Sequence, residues 1–454
     1  MARPTPLSGF PELLPRQRAA ELAVLDSLRA TFELHGFASI ETRAVEPLDQ
    51  LLRKGESSKE VYTLRRLQAE PDTDDSSSAA GLGLHFDLTV PLARYVLENA
   101  GRLEFPFRRY QIQRCWRGER PQEGRYREFT QADIDVIGRD ELSFDADVEV
   151  TEVMAEALSR LPLPAVTLQV NNRKLIDGFY RGIGASDPAA VIRTVDKLDK
   201  VGEDGVRRLL ADQAGLDSAQ VEQCLALARI SGTDSSFAAR VRALGVEHPL
   251  LDEGLGDLVR VLDAAAHTQS ERFTVVADLK IARGLDYYTG TVFEGRMATH
   301  GDLAICAGGR YDTLASDGRA TYPGVGISLG VTRVVAPLVA RGLLDGSRSV
   351  PSAVLIALPS DDDRPRGRTV ARALRARGIA TEVAPSAAKY GRQIRHAERR
   401  GIPYVWFPGA EGAVDQVKDI RSGDQVDADA DTWMPPAADL RPHIISPSTR
   451  ESAP

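Results

Sequence analysis

The chain has 454 residues, of which 43% are hydrophobic and 27% are charged, and its formal net charge is −8 at pH 7. This much apolar sequence can bury a core, which excludes a mainly disordered chain, and the length suits about two to four domains. The acidic balance excludes a uniformly basic nucleic-acid coat protein but still allows a local basic face.

Cysteine usage and hydropathy narrow the class of protein further. Cys115, Cys224 and Cys306 stand far apart, so they offer neither a CxxC metal site nor a disulfide framework, which favours a reducing compartment. The N-terminus is rich in proline and lacks the apolar centre of a signal peptide, and the chain has no run of about 18 apolar residues. We therefore expect a cytoplasmic protein without a membrane span.

The first part of the chain predicts a helix followed by antiparallel sheet. Apolar spacings of three and four predict a helix over 16–35, and a strand-like stretch follows over 38–45. Residues 70–81 are expected to form a polar loop. From 84 to about 136 the pattern is mostly period two, which predicts antiparallel strands, and 145–160 again has helical periodicity.

The middle of the chain changes character twice. Helical signals dominate from about 172 to 270, and this stretch holds none of the candidate chemistry, so we interpret it as an inserted helical module. Strand signals and glycine clusters return over 273–330, and a helix is predicted over 333–342. Residues 343–353 are expected to form a linker.

Beyond the linker the pattern predicts a small α/β domain. The predicted elements alternate as strand 354–358, helix 364–377, strand 380–384, helix 387–400 and strand 404–407. Residues 361–400 hold eleven Arg or Lys and five Asp or Glu, a net charge of +6. This basic segment suits either a phosphate-tracking face or a solvated helix surface with local salt bridges. The last twenty residues are rich in proline and are expected to be loose.

A short polar pattern near residue 87 is the first candidate for ligand binding. His85, Asp87 and Thr89 alternate with apolar residues, which predicts a strand with one polar face. A carboxylate and a hydroxyl side by side suit an ammonium group. An ordinary half-exposed strand is the alternative.

Residues 114–137 carry the most information, because they predict two strands around a loop that contains Pro121 and Gly124. Polar groups are costly when they are buried without partners. The polar and charged residues that alternate with apolar ones along the second strand therefore indicate a polar pocket rather than a core. Arg117 and Arg125 could hold phosphate through their planar guanidinium groups. A solvent-facing hairpin is the alternative. The residues that share one face of the second strand are Arg127, Phe129, Gln131, Asp133 and Asp135.

Three glycine-containing segments follow later in the chain. RGLDYYTGTVFE, at 283–294, could border a pocket or form a plain hairpin. In AGGRYD, Gly308 and Gly309 would let the backbone approach a ligand closely. GVGISLGVTR places glycines in a strand and Arg333 where it could stack on an adenine ring, although close packing against a neighbouring element would explain the glycines as well.

Together these segments resemble the histidyl-tRNA synthetases, a family of class II aminoacyl-tRNA synthetases, from about residue 7 to 425. The matching segments in the first part of the chain are FDLTVPLARY, WRGERPQEGRYREFTQADID, RGLDYYTGTVFE, AGGRYD and GVGISLGVTR. The boxes RGLDYYTGTVFE and AGGRYD are the most specific, because other class II synthetases lack that combination. In the C-terminal domain the resemblance is carried by KYGRQIRHAERRGIPYVWFPG, at 389–409.

The resemblance implies an architecture of two domains. A class II catalytic domain of the α+β type, built on an antiparallel sheet, would span 1–343 with the helical insertion at about 172–270. A linker at 344–353 would lead to an α/β anticodon-binding-like domain over 354–432. Residues 433–454 would form a flexible tail.

The resemblance also implies an activity, the ATP-dependent ligation of L-histidine to tRNA(His) through a histidyl-adenylate. The protein would be a cytoplasmic homodimer that binds neither DNA nor membranes, with Mg²⁺ bound mainly through ATP phosphates and not by protein side chains. The matching positions for histidine are Asp87, Thr89, Gln131, Asp135, Tyr287 and Tyr288. Those for catalysis at the α-phosphate are Arg117 and Arg283, and those for the rest of ATP are Glu119, Arg125, Phe129 and Arg333. Contacts with tRNA are assigned to Arg392, Arg395 and Arg399.

The alternative is a non-catalytic histidine-binding paralogue, such as the regulatory subunit of ATP phosphoribosyltransferase. That family shares the fold but usually lacks the anticodon domain and the arginines. Two positions also depart from the synthetase pattern. Arg43 stands where the first class motif usually has proline, and Thr332 stands where the third usually has glutamate.

Overall fold

The computed structural model describes residues 5–52, 60–66, 81–281, 288–301, 303–313, 315–316, 318–410 and 413–445. The described residues form two compact units. Unit 1 is drawn from Met1–Pro11 and Ser27–Val334, and unit 2 from Glu12–Asp26 and Val335–Pro454. Within these ranges, the helices are all too short or too polar to cross a membrane.

A mixed sheet forms the centre of unit 1. The strands of this unit are β1 (Ala38–Ser39), β2 (Val45–Pro47), β3 (Thr63–Leu64), β4 (Leu82–Leu84), β5 (Phe107–Trp116), β6 (Glu128–Ile137), β7 (Val166–Asn172), β8 (Ser231–Gly232), β9 (Phe273–Asp278), β10 (Thr291–Met297), β11 (Ala304–Tyr311) and β12 (Gly324–Gly330). Among the described residues, the large sheet has the order β1-β5-β6-β12-β11-β10-β7-β9-β8. Its pairs are antiparallel except β1–β5 and β7–β9. A small antiparallel sheet has the order β2-β4-β3.

The helices follow the predicted periodicity in most places. They are α1 (Pro15–Leu34), α2 (Leu48–Leu51), α3 (Thr89–Asn99), α4 (Asp145–Ser159), α5 (Arg173–Gly182), α6 (Pro188–Val195), α7 (Leu198–Ala214), α8 (Ser218–Ala228), α9 (Phe237–Arg242), α10 (Pro249–Ala265), α11 (Val331–Ala340), α12 (Arg364–Ala376) and α13 (Tyr390–Arg400). Short 3-10 turns lie at Ala266–Thr268, Ala298–His300 and Ala437–Asp439. The helices predicted over 16–35, 145–160 and 333–342 are confirmed to within a few residues.

The large sheet has one apolar and one polar face, because alternate residues of a strand point to opposite sides. On β6, Ala132, Ile134 and Val136 are buried and apolar. The residues between them are the polar ones that the sequence placed on one face. Helices α4 and α10 pack against the sheet and against each other. Burial of the apolar face therefore leaves the polar residues of β6 and β12 to line a site on the other face.

The strand predicted through Asp87 and Thr89 is wrong. Strand β4 ends at Leu84, and α3 begins at Thr89 after a short bend. The Asp87 carboxylate accepts a hydrogen bond from the backbone N–H of Val90 at 3.0 Å, which satisfies one of the free donors at the start of a helix. The buried residues Val90 and Val96 then lie on the inner face of α3. The stretch predicted as one strand over 38–45 also divides, into β1 and the start of β2.

The predicted insertion at about 172–270 contains helices α5 to α10 and the two-residue strand β8. Its first and last helices approach closely because two glycines leave room for the backbone of the other helix. A Cβ added at Gly178 would lie 2.3 Å from the backbone nitrogen of Leu251, and one added at Gly254 would lie 2.2 Å from that of Leu175. Any larger residue at either position would push α5 and α10 apart.

Unit 2 is built on a second mixed sheet. Its strands are β13 (Asp345–Gly346), β14 (Val354–Ile356), β15 (Thr381–Val383), β16 (Tyr404–Phe407), β17 (Asp415–Asp419), β18 (Gln425–Ala428) and β19 (Ile444–Ile445). Among the described residues, the order is β15-β14-β16-β17-β18, and β13 pairs separately with β19. The predicted alternation of strands and helices over 354–407 is confirmed, whereas β17 and β18 were not predicted.

Two segments of unit 2 are more ordered than the sequence suggested. The expected linker at 344–353 contains β13, which pairs with β19 inside the expected loose tail. Within that tail, the Trp433 ring lies 5.6 Å from that of Trp406, and the Asp439 carboxylate accepts a hydrogen bond from the Tyr404 hydroxyl at 2.8 Å. The expectation of a loose tail is therefore wrong for 433–445. Residues 446–454, and 70–80 of the predicted polar loop, lie outside the described residues.

Candidate active site

A cavity of about 210 Å³ opens on the polar face of the large sheet. Its walls come from the bend before α3, the loop between β5 and β6, strand β6, strands β11 and β12, and the start of α11. Side chains that are far apart in sequence therefore meet at one place. The predicted site residues that line it are Asp87, Thr89, Arg117, Glu119, Arg125, Phe129, Gln131, Tyr288 and Arg333.

The Gln131 side chain has an orientation that suits a ligand with hydrogen-bond donors. Its amide nitrogen donates to the Ser328 hydroxyl and lies 3.4 Å from a carboxylate oxygen of Asp133. Its amide oxygen is buried and has no hydrogen-bond partner among the described residues. A buried carbonyl oxygen without a hydrogen bond typically costs about 1–3 kcal/mol of stability. A ligand that donates a hydrogen bond to this oxygen would remove that cost.

Asp135 lies beneath the cavity and does not line it. It is buried, and one carboxylate oxygen lies 2.7 Å from a guanidinium nitrogen of the fully buried Arg109. The other oxygen accepts a hydrogen bond from the Tyr311 hydroxyl at 2.6 Å. Gly326 makes room for this carboxylate, since a Cβ there would lie 2.1 Å from it.

The floor of the cavity is acidic. Burial raises the pKa of Asp133 to about 7, and the neighbouring carboxylates of Asp135 and Asp87 raise it as well, against the opposing effect of Arg109. Burial and the same carboxylates raise the pKa of Tyr288, so its hydroxyl stays protonated. This end of the cavity therefore favours a positively charged ligand group.

The other end of the cavity gathers arginine side chains that are fixed by backbone contacts. Arg117 donates from Nε to the carbonyl of Phe86 at 2.9 Å, and its guanidinium lies 5.1 Å from the centre of the Phe129 ring. Arg333 donates to the carbonyls of Gly124 and Ala304, at 2.9 and 2.7 Å. Both side chains are thereby aimed before any ligand arrives.

The arginines repel one another. Burial lowers the pKa of Arg333, and the like charges of Arg117 and Arg125 lower it further, whereas Glu119 opposes them. The Glu119 carboxylate lies 4.0 Å from Arg125. Like charges held close together are relieved by an anion, so this end suits phosphate groups.

Thr332, which replaces the usual glutamate, connects two segments that line the cavity. Its hydroxyl accepts a hydrogen bond from the backbone N–H of Thr130 at 2.8 Å. This contact fixes the start of α11 against β6 next to Arg333. In this chain a neutral hydrogen bond therefore holds the two segments together.

The glycines of AGGRYD serve packing within the protein. A Cβ at Gly308 would lie 2.1 Å from the carbonyl oxygen of Gly326, and one at Gly309 would lie 2.7 Å from the ring of Tyr288. Gly308 thus permits close strand pairing, and Gly309 seats a residue that lines the cavity. Both glycines therefore have packing roles, and the hypothesis that they let the backbone approach a ligand stays a prediction.

Some predicted residues are not placed, and some lining residues were not predicted. Arg283 and Tyr287 lie outside the described residues. Ser328 lines the cavity, and the alternation of Ser328 with glycines in GVGISLG was the signal for it. Cys306 also lines the cavity, and burial raises the pKa of its thiol to about 12, so it stays protonated. No sequence signal pointed to Arg109.

The basic helices of unit 2 use their arginines in different ways. On α12 and directly after it, the side chains of Arg366, Arg375 and Arg377 are engaged within the unit, by Asp415 at 2.9 Å and by the carbonyls of Thr381 and Ala430 at 2.9 and 3.0 Å. On α13 the side chains at 392, 395 and 399 are exposed on one face. In the described part of the chain, no carboxylate lies within ion-pair distance of these three. Ion pairs within the unit thus account for part of the basic charge near α12 but not for the three exposed arginines of α13.

Comparison with known proteins decides the family. A family model described as histidyl-tRNA synthetase matches residues 9–334. The chain belongs to the histidyl-tRNA synthetase family. A second model, described as an anticodon binding domain, matches 353–433. The family predicted from the sequence is confirmed.

Individual relatives agree with this assignment over the whole chain. A histidine–tRNA ligase of Cutibacterium acnes is 59% identical and covers 98% of this chain and 99% of its own length. A histidine–tRNA ligase of Micrococcus luteus is 56% identical and also covers 98% of this chain and 99% of its own length. The crystal structure of a histidyl-tRNA synthetase from Nostoc sp. PCC 7120 is 32% identical, with a TM-score of 0.82, and covers 95% of this chain and 98% of its own. The predicted fold class is confirmed as well.

Proposed function

We propose that this protein ligates L-histidine to tRNA(His), with activation of the amino acid by ATP. The observation that carries the proposal is one cavity that joins an acidic end to a cluster of three arginines. An amino acid brings an ammonium group that suits the acidic end. A nucleotide brings phosphates that suit the arginine cluster. The name shared by the relatives supports the choice of histidine and tRNA.

Histidine would bind at the acidic end. The Asp87 carboxylate, the Thr89 hydroxyl and the amide oxygen of Gln131 would accept from the α-ammonium group. Asp135 and Tyr288 would pair with the imidazole nitrogens from below, and the family resemblance adds Tyr287. A site with a polar partner for each ring nitrogen rejects side chains that leave those partners unpaired.

ATP would bind at the arginine end. Phe129 and Arg333 would hold the adenine between them, with Glu119 on the adenine side. Arg125 would contact the outer phosphates. Arg117 would contact the α-phosphate, together with Arg283 by family resemblance. The backbone contacts of Arg117 and Arg333 support these roles, because a fixed donor costs less to organise during the reaction.

The chemistry needs no side-chain nucleophile. A carboxylate oxygen of histidine attacks the α-phosphorus in line, and the bond to the bridging oxygen breaks, so pyrophosphate leaves with the electron pair. A ribose hydroxyl of the terminal tRNA nucleotide then attacks the acyl carbon, loses its proton, and AMP leaves. Catalysis consists of positioning and neutralisation of developing charge.

Mg²⁺ would enter this site with the nucleotide. The described part of the chain contains no group of three or more metal-ligating side chains. We therefore assign the ion mainly to the ATP phosphates, where it would neutralise part of their charge. This leaves the arginines to orient the phosphates.

The tRNA would contact unit 2 through α13. The anticodon-binding match and the exposed arginines at 392, 395 and 399 support this assignment. We also propose a homodimer, as the class II resemblance implies, and a cytoplasmic location, which suits three free and buried cysteines.

A non-catalytic histidine-binding paralogue is less well supported. The family resemblance associates such proteins with loss of the anticodon domain and of the arginines. Here an anticodon-binding model matches 353–433, and Arg117, Arg125 and Arg333 line the cavity. These features favour catalysis.

The deciding experiment is histidine-dependent exchange of pyrophosphate into ATP. We expect exchange with histidine and none with other amino acids. Binding of histidine without exchange would favour the regulatory paralogue instead. Charging of tRNA(His) transcript, with another tRNA as the control, then tests the second step.

A further inference from the structure

Asp133 lies at the centre of a polar row that crosses three strands of the large sheet. Its cross-strand neighbours are Gln111 on β5 and Ser328 on β12. The side chain is 2% exposed and lies beneath the cavity wall. None of the roles proposed above uses this carboxylate.

The contact between Asp133 and Gln131 decides how the amide of Gln131 is turned. An amide side chain presents two donors from nitrogen and an acceptor oxygen, so its orientation follows its neighbours. Here the nitrogen faces two acceptors, the Ser328 hydroxyl oxygen and the Asp133 carboxylate. The amide oxygen is thereby left without a protein partner at the cavity wall. With the opposite orientation, the amide oxygen would face the carboxylate and repel it.

Several charged or titratable groups interact with Asp133. Three carboxylates share this region with one buried guanidinium, so the region under the cavity carries net negative charge when all are ionised. A ligand cation above Gln131 would relieve the repulsion. The titratable or charged groups that act on Asp133 or are acted on by it are Asp87, Arg109, Cys115, Asp135 and Tyr288.

We propose that Asp133 is a positioning residue of the histidine site. Its carboxylate, with the Ser328 hydroxyl, holds the Gln131 amide so that the amide oxygen meets the α-ammonium group. The inference rests on the proposed function for the identity of the ligand. It adds a residue that acts through Gln131 and does not touch the substrate.

Histidine binding should depend on the ionisation of Asp133. Burial raises the pKa of Asp133 to about 7, with Asp135 and Asp87 acting in the same direction and Arg109 and the Ser328 hydrogen bond opposing. The ionised carboxylate accepts hydrogen bonds through both oxygens, whereas protonation turns one of them into an O–H donor. Histidine affinity should therefore rise as pH increases through about 7.

The test uses the full-length protein and pyrophosphate exchange at several pH values. Asp133→Asn keeps the shape and removes the charge. It should raise the KM for histidine about five- to tenfold, since a hydrogen bond to a charged group is worth roughly 1 kcal/mol more than a neutral one. The KM for ATP should stay within about twofold, as expected for a group that acts only on the amino-acid end. The ratio of kcat/KM for histidine between wild type and variant should increase with pH through about 7, a comparison that cancels the titration of free histidine and ATP.

Two further variants separate positioning from a structural role. Ser328→Ala removes a hydrogen bond that lowers the pKa of Asp133, so the midpoint of the pH dependence should move upward. Tyr110→Phe is the matched control, because Tyr110 is buried on β5, lies opposite Ile134, and donates to Glu33 at 2.6 Å outside the cavity. It should move neither the midpoint nor the ratio of the two KM values.

The outcomes separate this inference from the proposed function. Wild-type activity with an unchanged histidine KM and an unchanged pH midpoint in both Asp133→Asn and Ser328→Ala would overturn the role of Asp133. Absence of histidine-dependent exchange in the wild type would overturn the proposed function itself. If Asp133→Asn does not fold, the midpoint in Ser328→Ala decides.

Discussion

Asp133 and Asp135 lie two residues apart on β6 in opposite electrostatic surroundings. Asp135 has the guanidinium of Arg109 at 2.7 Å and the hydroxyl of Tyr311 at 2.6 Å. The hydrogen-bonding neighbours of Asp133 are instead the neutral groups of Ser328 and Gln131, and the effect of burial on its pKa outweighs that of Arg109. One carboxylate is therefore stabilised as an anion, and the other is costly to ionise.

Asp133 should make the stability of the protein depend on pH. Its pKa rises from 3.8 to about 7 on folding, so folding favours the protonated form. The stability that this contributes is complete below about pH 4 and is lost as pH rises through about 7. Asp133→Asn removes the titration. The free energy of unfolding of the variant relative to wild type should therefore increase between about pH 4 and 7 and stay level above.

Urea denaturation across that pH range measures this difference. A constant difference would mean that the pKa of Asp133 is ordinary. If Asp133→Asn is more stable than wild type at pH 8 but binds histidine less well, the charge of Asp133 serves binding and not folding.

Removal of the Asp135 carboxylate should affect both binding and stability. Asp135→Ala leaves the buried Arg109 without its counter-charge, which typically costs about 3–5 kcal/mol. The KM for histidine should rise far more than that for ATP, because an imidazole donor also loses its acceptor. Denaturation and steady-state exchange on the same preparation test both effects. Equal changes in the two KM values would show that Asp135 is only structural.

Arg117 should act mainly in the transition state. Arg117→Ala should slow adenylate formation by roughly 10²–10³-fold, as for loss of one preorganised donor. Arg117→Lys should be impaired as well, because lysine keeps the charge but loses the planar geometry and the bond to Phe86. Single-turnover adenylation at saturating substrates measures the rate.

The control for Arg117 is Arg114→Ala. Arg114 is on β5, three residues before Arg117, is largely exposed, and pairs with Glu128 outside the cavity. Its substitution should leave the rate near that of wild type. A similar loss in both variants would assign the effect of Arg117 to the stability of the hairpin.

At the scale of elements, the ends of helices and strands position the site. The start of α3 holds Asp87 through the backbone N–H of Val90, and the start of α11 holds Arg333 beside Thr332. Strands β6 and β12 supply the floor between them. Because each group is attached to a regular element, the cavity can be organised before substrate binds.

The exposed face of α13 should contribute to tRNA binding through charge. Arg395→Gln should lower the affinity for tRNA(His) and reduce the slope of log affinity against log salt by about one. Substitution of 392, 395 and 399 together should reduce it by about three if each contacts a phosphate. Pyrophosphate exchange should not change. Arg441→Gln is the control, because Arg441 is exposed in the same unit but lies outside α13.

Filter binding over a range of salt concentrations tests this prediction. An unchanged slope in the triple variant would show that this face of α13 is only a solvated surface. Point substitutions are preferable to truncation near Gly346, because Arg16 contacts both Asp345, at 3.0 Å, and Gly346 within unit 2.

At the scale of the whole molecule, the proposed homodimer is open to a direct measurement. Light scattering after size exclusion should give twice the 49.3 kDa of one chain. Arg43, which replaces the usual proline of the first class motif, pairs with Glu46 at 3.1 Å and Glu98 at 3.5 Å. Arg43→Pro tests whether this network matters for association. A monomeric mass for the wild type at micromolar concentration would contradict the proposal.

The sequence by itself determined the family, the main helices and most of the residues around the cavity. Helical periodicity is a local property, so α1, α4, α12 and α13 could be predicted from spacing alone. The segments near 87, 117–135 and 333 carry their chemistry in residue type and order. That information was sufficient to expect an acidic end and an arginine end.

The tertiary structure decided what depends on neighbours that are distant in sequence. Alternation around Asp87 suits a strand as well as a bend that caps a helix, and only packing of α3 separated them. The pairing of Asp135 with Arg109 and Tyr311, the space made by Gly326, and the burial that raises the pKa of Asp133 all depend on strand order. Strand order is set by long-range contacts, and a single sequence records the residues but not which of them become neighbours.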